Sequence, residues 1–297
     1  MTDQRWELSK KYIIGKGLEI GALSNPTKVP YNVRVIYVDK IDSKTALDLH
    51  YPELKGKRLV TVDVLDDGEK LSAFPIESQD FIIGNHFLEH TQDPIRAIQT
   101  HLSRLRVGGI LYYGVPDKRK TFDIKRPITP FSHVLEDYNK GPNYSYNDHL
   151  WEWIRLVSHT RKENEEEEFV RLKNMNYSIH FHVWDNDALR DFIEKTNNFL
   201  NYPFKICEFV SNDSENIIVL QKVRSENKEN GENLLEIPLA IKALLGVYET
   251  REDLQKDYPD IKNLTELKKL IFWAKKYGVF EESSLTPYTY YFDHYDT

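Results

Sequence analysis

The sequence has little cysteine and no long apolar run. Cys207 is the single cysteine among 297 residues, so an internal disulfide framework is excluded and a reducing compartment is expected. We interpret Cys207 as a small apolar residue in a strand at residues 204–210. No stretch approaches the roughly 18 apolar residues of a membrane span, and the amino terminus lacks a charged-then-apolar signal pattern. These absences predict a cytoplasmic protein without a membrane span.

The sequence also lacks a surplus of basic residues. Its 40 Lys and Arg residues and 47 Asp and Glu residues give a formal net charge of -7. A protein that binds the nucleic-acid backbone needs a basic surface, so we expect no nucleic-acid partner. The densest charge run, residues 165–168, is acidic and is typical of a solvated face or loop.

An apolar strand that ends in Glu-x-Gly is the first positive signal. Glu19 lies at the mouth of this strand, and Gly21 supplies either a positive φ or the space of a missing Cβ. A β-branched strand at residues 33–39 ends in Asp39, about twenty residues after the turn, where nucleotide folds place a carboxylate for ribose hydroxyls. The turn lacks the full G-x-G-x-x-G of a pyrophosphate site, which favours S-adenosylmethionine over a dinucleotide. By itself, Gly21 is equally compatible with a simple tight turn.

A third strand is predicted over residues 59–64, again ending near an acid. Asp63 is placed to accept from an adenine amino group, with Val64 packed on the ring. The alternative is an aspartate that caps a turn before residues 66–68.

Five ordered segments carry a resemblance to a known family. They are Glu19-Ile20-Gly21, Asp39, Asp63-Val64, residues 78–90 with Asn85-His86 and Leu88-Glu89-His90, and residues 105–116 with a glycine pair. In these segments the chain resembles the class I S-adenosylmethionine-dependent methyltransferases, particularly the type 11 group. The likeness covers residues 16–117 and continues more weakly to residue 223. At Ala22 and Leu23 the family more usually has glycine.

The resemblance implies a fold and a cofactor site. The fold is α/β, with a Rossmann-like seven-stranded mostly parallel sheet, helices on both faces, an insertion after the fifth strand and a small helical C-terminal annex. The cofactor is S-adenosylmethionine, and the residues assigned to it are Glu19, Gly21, Ala22, Asp39, Asp63, Val64, Asn85 and His86. His86 and His90, four residues apart on a predicted helix, also permit a metal site, but the resemblance favours a packing role for His90.

After the fifth strand the alternation of strands and helices breaks into a long insertion, residues 117–183. Its many Trp, Tyr, His and Arg residues favour a functional region over a disordered one. A helix at residues 186–195 and strands at residues 204–210 and 216–223 then close the sheet. The predicted organisation is a methyltransferase domain at residues 1–224, a linker at 225–233 and a helical annex at 234–297.

The insertion carries the candidate catalytic residues. In an extended strand, His180 and His182 would share the face opposite the apolar side chains. Upstream, His149 and Glu152 would share a helix face, with Asp148 beside His149. A carboxylate orients an imidazole and raises its basicity, so we assign general-base catalysis to His149, His180 or His182, with Asp148 as the catalytic carboxylate that orients His149. The alternatives are a divalent metal site, which is not favoured because the spacing matches no zinc motif, and structural histidines.

Residues 117–127 follow the fifth strand directly and so lie at the rim of the predicted site. Arg119 and Arg126 are candidates to clamp a phosphate or carboxylate, and Asp117 and Trp184 are assigned to the substrate with them. A solvated loop is the alternative.

The annex gives the only indication of the acceptor. Residues 248–254 and 270–279 resemble a small helical segment of bacterial glycan-assembly enzymes, including glycosyltransferases. This predicts O-methylation of a sugar, a nucleotide-linked sugar or a phosphorylated surface-glycan precursor. The alternatives are N-methylation of an amine or phosphoramidate, and a non-catalytic scaffold of a glycan-assembly complex. The annex itself is equally typical of a packing module that forms a homodimer or binds a glycan-assembly partner.

Overall fold

The computed structural model describes residues 4–46, 54–141 and 143–224. The predicted linker at 225–233 and annex at 234–297 lie outside these residues. Within the described ranges, no helix is long and apolar enough to cross a membrane.

A seven-stranded sheet forms the centre of the domain. Its strands are β1 (Lys16–Ile20), β2 (Arg34–Asp39), β3 (Val64–Leu65), β4 (Gln79–Asn85), β5 (Leu105–Pro116), β6 (Phe204–Asn212) and β7 (Glu215–Lys222). The strand order is β3-β2-β1-β4-β5-β7-β6. Neighbours from β3 to β5 are parallel, whereas β7 is antiparallel to both β5 and β6. The predicted Rossmann-like, mostly parallel sheet is therefore confirmed.

The described part of the chain contains seven α-helices, and aspartate side chains cap the start of some of them. They are α1 (Gln4–Tyr12), α2 (Ser43–Thr45), α3 (Pro94–Arg104), α4 (Phe131–Lys140), α5 (Tyr146–Leu156), α6 (Glu165–Asn174) and α7 (Asn186–Phe199). The Asp93 and Asp185 carboxylates accept the backbone N–H of Arg96 and Ala188 and so cap α3 and α7. A cap of this kind contributes about 1 kcal/mol.

Alternating residues of the strands build two apolar layers. In β5, Leu111 and Tyr113 join the layer covered by α3, α4 and α7, whereas Ile110 and Tyr112 join the layer covered by α1. The period of two residues follows from the pleat of a strand. Burial on both sides explains why the carboxyl half of β5 is continuously buried.

The point where the strand order reverses positions the site. β1 pairs with β2 on one side and with β4 on the other, so the connections that leave β1 and β4 run in opposite directions. A crevice opens beyond the carboxyl ends of strands at such a point. Here those ends are Ile20 and Asn85.

The third strand is much shorter than the predicted residues 59–64. Only the two residues of β3 pair with β2, because Val60 donates its backbone N–H to the Leu23 carbonyl in the loop after β1. The Ser43 hydroxyl in turn donates to the Val60 carbonyl. The segment before β3 therefore packs against the loop after β1 and does not extend the sheet.

The insertion after β5 is mainly helical. An isolated bridge between Asp117 and Trp184 lies at its base, and α5 and α6 pack around Leu150, Ile154 and Leu172. The chain comes back through residues 177–183, which belong to no strand and are called the return segment here. The extended strand predicted for His180 and His182 is therefore absent from the sheet.

Candidate active site

A cavity of about 350 Å³ opens beyond the carboxyl ends of β1 and β4. Its volume falls in the range of small-molecule and cofactor sites. It is lined by Arg5, Glu19, Ile20, Gly21, Ala22, Leu23, Ser24, Asn25, Leu54, Asn85 and His86. A narrower cleft adjoins it at Ala22 and Leu23 and is lined by Asp39, Val60 and Val62.

Gly21 makes the sharp turn that opens this cavity. Its φ is +64°, in the left-handed region that side chains with a Cβ adopt at a cost. A Cβ at Gly21 would have no atom within 4 Å, so the backbone conformation, and not crowding, selects glycine. The turn is held by the Gly21 N–H, which donates to the Val38 carbonyl of β2.

Two residues that line the cavity, Glu19 and Asn85, each carry a buried acceptor oxygen. Glu19 is 1% exposed, and its Oε1 accepts from the backbone N–H and the hydroxyl of Thr27. The amide nitrogen of Asn85 donates to the same hydroxyl at 2.7 Å. Glu19 Oε2 and Asn85 Oδ1 have no hydrogen-bond partner in the described parts of the chain. Burial raises the pKa of Glu19, against the two bonds from Thr27.

His86 also lines the cavity and has an unusual backbone conformation. Its φ is +50°, and its ring Nε2 lies 3.1 Å from Glu215 Oε2. Arg5 makes a bidentate contact with the same carboxylate. The hydrogen bond with Glu215 raises the pKa of His86 against the effect of burial. Burial alone would raise the pKa of Glu215, but the contacts with Arg5 and His86 lower it to about 2.

His86 and His90 are not on one α-helix. The chain turns at His86, and Leu88–His90 is a short 3-10 turn, so the helical spacing expected for the two histidines does not apply. His90 is held separately, with Nδ1 2.9 Å from the Ile179 carbonyl. Burial lowers the pKa of His90 to about 3.

Asp63 and Val64 line neither the cavity nor the cleft, contrary to the expected contact with adenine. The Asp63 carboxylate accepts the backbone N–H of Tyr37 and so fixes the edge of β2. The hydrophobic wall of the cleft comes instead from Val60 and Val62, which precede Asp63 in the same segment.

A cluster of three imidazoles and one carboxylate, all buried except the partly exposed His133, lies within the insertion. The distances from Asp137 Oδ2 to the Nε2 atoms of His182, His133 and His149 are 3.0, 3.4 and 3.8 Å. We call these four residues the Asp137 cluster. Burial would raise the pKa of Asp137, but hydrogen bonds with His149, His182 and Ser145 hold it well below its usual range. Burial lowers the pKa of His182 to about 4 despite its contact with Asp137.

The expected pairing of Asp148 with His149 is wrong. Asp148 is exposed, because consecutive residues of a helix do not face each other. The carboxylate beside His149 is Asp137 of α4, and Glu152 contacts Arg126 instead.

His180 and His182 contact different carboxylates and do not share one space. His180 Nδ1 lies 2.6 Å from Asp123 Oδ2, whereas His182 lies between the Thr91 carbonyl and Asp137. Residues two apart share a face only in a strand, and the return segment is not a strand. His182 is 0% exposed with both ring nitrogens engaged, so it cannot accept a proton from a substrate.

Glu89 lies close both to His180 and to His86 of the cavity wall. Potential ligand atoms of Glu89, His90 and His180 all lie within 4.8 Å of one another, and His86 Nδ1 is 3.7 Å from Glu89 Oε1. Burial raises the pKa of Glu89, and neither of its carboxylate oxygens has a hydrogen-bond partner among the described residues. We call Glu89, His90 and His180 the Glu89 cluster.

Arg126 is a structural residue and not a substrate clamp. It is 2% exposed and its guanidinium donates to Glu152, Asp123 and the carbonyls of His180 and Phe181. Its donors therefore fix the return segment, and the expected contact with a bound phosphate is wrong.

The other three residues assigned to the substrate are also engaged within the protein. Asp117 is 1% exposed and is paired bidentately with Arg119. This pair lowers the pKa of Asp117 against burial. Trp184 is 1% exposed and stacks between His182 and Phe192. Of these, Arg119 alone has a substantially exposed side chain, at 51%.

Sequence reasoning missed His133, Asp137, Glu89, Glu215 and Arg5. The separation of His133 and Asp137 by four residues was a usable signal, because it places both on one helix face. Arg5 and Glu215 are 210 residues apart, so no local pattern links them.

No family model matches the chain, and no curated protein matches it. Among solved structures, the chain is similar to an S-adenosylmethionine-dependent methyltransferase from Aquifex aeolicus, at 12% identity and a TM-score of 0.38, covering 73% of this chain and 85% of that one. A methyltransferase of this class from Methanosarcina mazei gives 17% identity, a TM-score of 0.38 and coverage of 70% and 92%.

A protein from Rhodobacter sphaeroides described as a zinc-dependent alcohol dehydrogenase gives 16% identity, a TM-score of 0.42 and coverage of 75% and 91%. Similarities at these TM-scores establish neither an activity nor a substrate.

Proposed function

We propose that the chain is an S-adenosylmethionine-dependent methyltransferase that holds its cofactor in the cavity beyond β1 and β4. The observation that carries the proposal is the pair of unpartnered buried acceptors, Glu19 Oε2 and Asn85 Oδ1, at the wall of this cavity. The methionine part of the cofactor has an ammonium group, whose N–H donors suit such acceptors. A buried carboxylate also favours a cation as its partner.

The adjoining cleft supports the same ligand. Asp39 lines this cleft at the end of β2, the place at which nucleotide folds bind ribose hydroxyls. Val60 and Val62 supply an apolar wall suited to a base. The Gly21 turn provides one glycine and not a pyrophosphate cradle, which supports a nucleoside without a diphosphate.

The chain's own residues must align the acceptor and accept its proton, since the bound cofactor would supply an electrophilic methyl group on its sulfonium. His86 is the histidine that lines the cavity, and its contact with Glu215 orients the ring. We assign proton acceptance to His86. The second candidate is His180, which lies close to Glu89, the neighbour of His86.

The acceptor we propose is a hydroxyl of a sugar, nucleotide-linked sugar or phosphorylated glycan precursor. Support for a glycan comes from the sequence of residues 234–297 alone. Arg119 and Arg126 are occupied by carboxylates, so neither supports the phosphorylated form. N-methylation of an amine or phosphoramidate needs less help from a base and is distinguished by retained methyl transfer in a His86→Ala variant.

Calorimetric titration with S-adenosylmethionine and S-adenosylhomocysteine tests the cofactor assignment. We expect micromolar binding by the wild type and its loss in Asp39→Ala, because the ribose hydroxyls lose their carboxylate. Asp63→Ala is the matched control: it removes an acid just before β3 that lines neither space, so binding is retained. Circular dichroism checks that both variants fold.

Two outcomes would contradict the cofactor assignment. If the wild type binds neither compound, the chain is a non-catalytic subunit, as the scaffold alternative holds. If Asp63→Ala loses binding and Asp39→Ala keeps it, the ribose does not bind in the cleft at β2.

A further inference from the structure

Three separate segments of the insertion converge on the Asp137 cluster. His133 and Asp137 lie one turn apart on α4, His149 lies on α5, and His182 lies on the return segment. All four are outside the cofactor cavity and have no role in the proposed methyl transfer. Each offers one ligand atom, and these four atoms lie within 4.8 Å of one another.

Four of the six separations between these ligand atoms are close to the edge of a metal-centred tetrahedron, and the other two are below 4.8 Å. Zinc bonds to imidazole nitrogen and carboxylate oxygen are about 2.0–2.2 Å long, which places the ligand atoms of a tetrahedron about 3.3 Å apart. Asp137 Oδ2 is 3.0 Å from His182 Nε2, 3.4 Å from His133 Nε2 and 3.8 Å from His149 Nε2. The Nε2 atoms of His133 and His149 are 3.1 Å apart.

Hydrogen-bonding capacity favours a cation at the centre. His182 Nδ1 faces the Thr91 carbonyl oxygen at 3.0 Å, which can only accept, so this nitrogen carries the proton. His182 Nε2 lies 3.0 Å from Asp137 Oδ2, and with the proton on Nδ1 the neutral ring offers its Nε2 lone pair as a metal ligand. A divalent cation between them would accept both lone pairs, together with those of His133 and His149.

The surroundings also resemble those of a metal centre. Ligating histidines commonly donate their other N–H to a carbonyl, and ligating carboxylates are themselves hydrogen-bonded. His182 has the Thr91 carbonyl, and the second oxygen of Asp137 accepts from the Ser145 hydroxyl. Trp184, itself 1% exposed, stacks on the His182 ring at 5.8 Å between ring centres and packs against that ligand.

We propose that His133, Asp137, His149 and His182 bind one zinc ion that ties the insertion together. Three imidazoles and one carboxylate in a tetrahedral arrangement suit Zn²⁺ better than the oxygen-rich octahedral preference of Mg²⁺. Four protein ligands complete the coordination, so the site is structural. The ion locks α4 and α5 to the return segment, whose Phe181 N–H donates to the Glu89 carbonyl beside the cofactor cavity.

Metal content measured by mass spectrometry tests this proposal without any cofactor. After loading with zinc sulfate and dialysis, we expect about one zinc ion per wild-type chain. His133→Ala should lose it, and this ligand is chosen because its side chain is 29% exposed, so its removal disturbs the fold least. His133→Cys restores a zinc ligand and should recover the ion. His90→Ala, in the Glu89 cluster, is the matched control and should retain it.

Cobalt substitution and an outer-shell variant give further readouts. The Co²⁺ form should show the intense visible bands of tetrahedral coordination, shifted to longer wavelength in His133→Cys because a thiolate binds. Ser145→Ala should weaken zinc binding by about 10- to 100-fold. The proposal is overturned if the loaded wild type holds no zinc, if His133→Ala retains it, or if His90→Ala abolishes it. These results are independent of S-adenosylmethionine binding.

Discussion

At the scale of single residues, burial decides which charged side chains are available to a ligand. Arg126 has the chemistry of a phosphate clamp, but it is 2% exposed and its donors are used by Asp123, Glu152 and two carbonyls. His86, by contrast, has a 46% exposed side chain at the cavity wall. The sequence predicts a ligand contact for both residues, because both come after strands that end at the rim of the predicted site.

The structural role of Arg126 predicts a large loss of stability when its charge is removed. Arg126→Met should lower the free energy of unfolding by about 3–5 kcal/mol, because it leaves the buried Asp123 carboxylate without one of its partners. Arg171→Met is the matched control in the same insertion, since the Arg171–Glu168 pair is exposed, and should cost no more than about 1 kcal/mol. Urea denaturation measures both. Equal losses would contradict the structural role.

At the scale of elements, the carboxyl ends of β4 and β5 lie beside the amino end of β7, next to the cavity. A Cβ added to Gly114 of β5 would lie 2.7 Å from Asn85 Oδ1 and 2.8 Å from Glu215 Oε2. The glycine therefore allows the acceptor of β4 and the carboxylate of β7 to approach each other across the central strand.

This approach predicts a specific effect of Gly114→Ala on cofactor binding. The added methyl group should displace Asn85 and Glu215 and weaken S-adenosylmethionine binding by about tenfold or more, equivalent to about 1.4 kcal/mol. Gly108→Ala is the control at the other end of β5, where no atom lies within 4 Å but φ is +84°. It should cost about 1 kcal/mol of stability and leave binding unchanged. Calorimetry and denaturation separate the two effects, and equal binding by both variants would contradict the proposed contact.

At the scale of the whole domain, one ion-pair network joins distant parts of the chain. Arg5 of α1 and His86 after β4 both contact Glu215 at the start of β7. These contacts lower the pKa of Glu215 from 4.5 to about 2. The difference corresponds to about 3 kcal/mol, although partial exposure of Arg5 reduces it.

The network predicts a defined dependence of stability on pH. Because the folded-state pKa of Glu215 is below its unfolded value, its contribution is complete above about pH 4.5 and is lost as the pH falls towards 2. Glu215→Gln should therefore flatten the fall in unfolding free energy over this range. Lys10→Ala, which removes an exposed pair with Glu7, should leave the slope unchanged. An identical slope in wild type and Glu215→Gln would contradict the assignment.

Much of the fold was predictable from local sequence. The positive φ of Gly21, the strand that ends in Asp39 and the closing strands all rest on short-range patterns, namely alternation, β-branching and turn residues. The predicted extent of the third strand was wrong because Val60 donates its backbone N–H to the loop after β1. Strand propensities do not include such a contact. The His180 and His182 prediction failed because alternation indicates a shared face only within a strand.

The sequence by itself determined the alternating elements, the Glu-x-Gly turn and the acid after β2, since each depends on residues close together in the chain. The tertiary structure alone decided which ionisable groups meet. Asp137 with His149 and His182, Glu215 with Arg5, and Asp123 with His180 are brought together by the packing of the insertion and of α1 on the sheet. Burial and pairing between distant segments have no local signature, and they fix both the pKa values and the availability of these side chains.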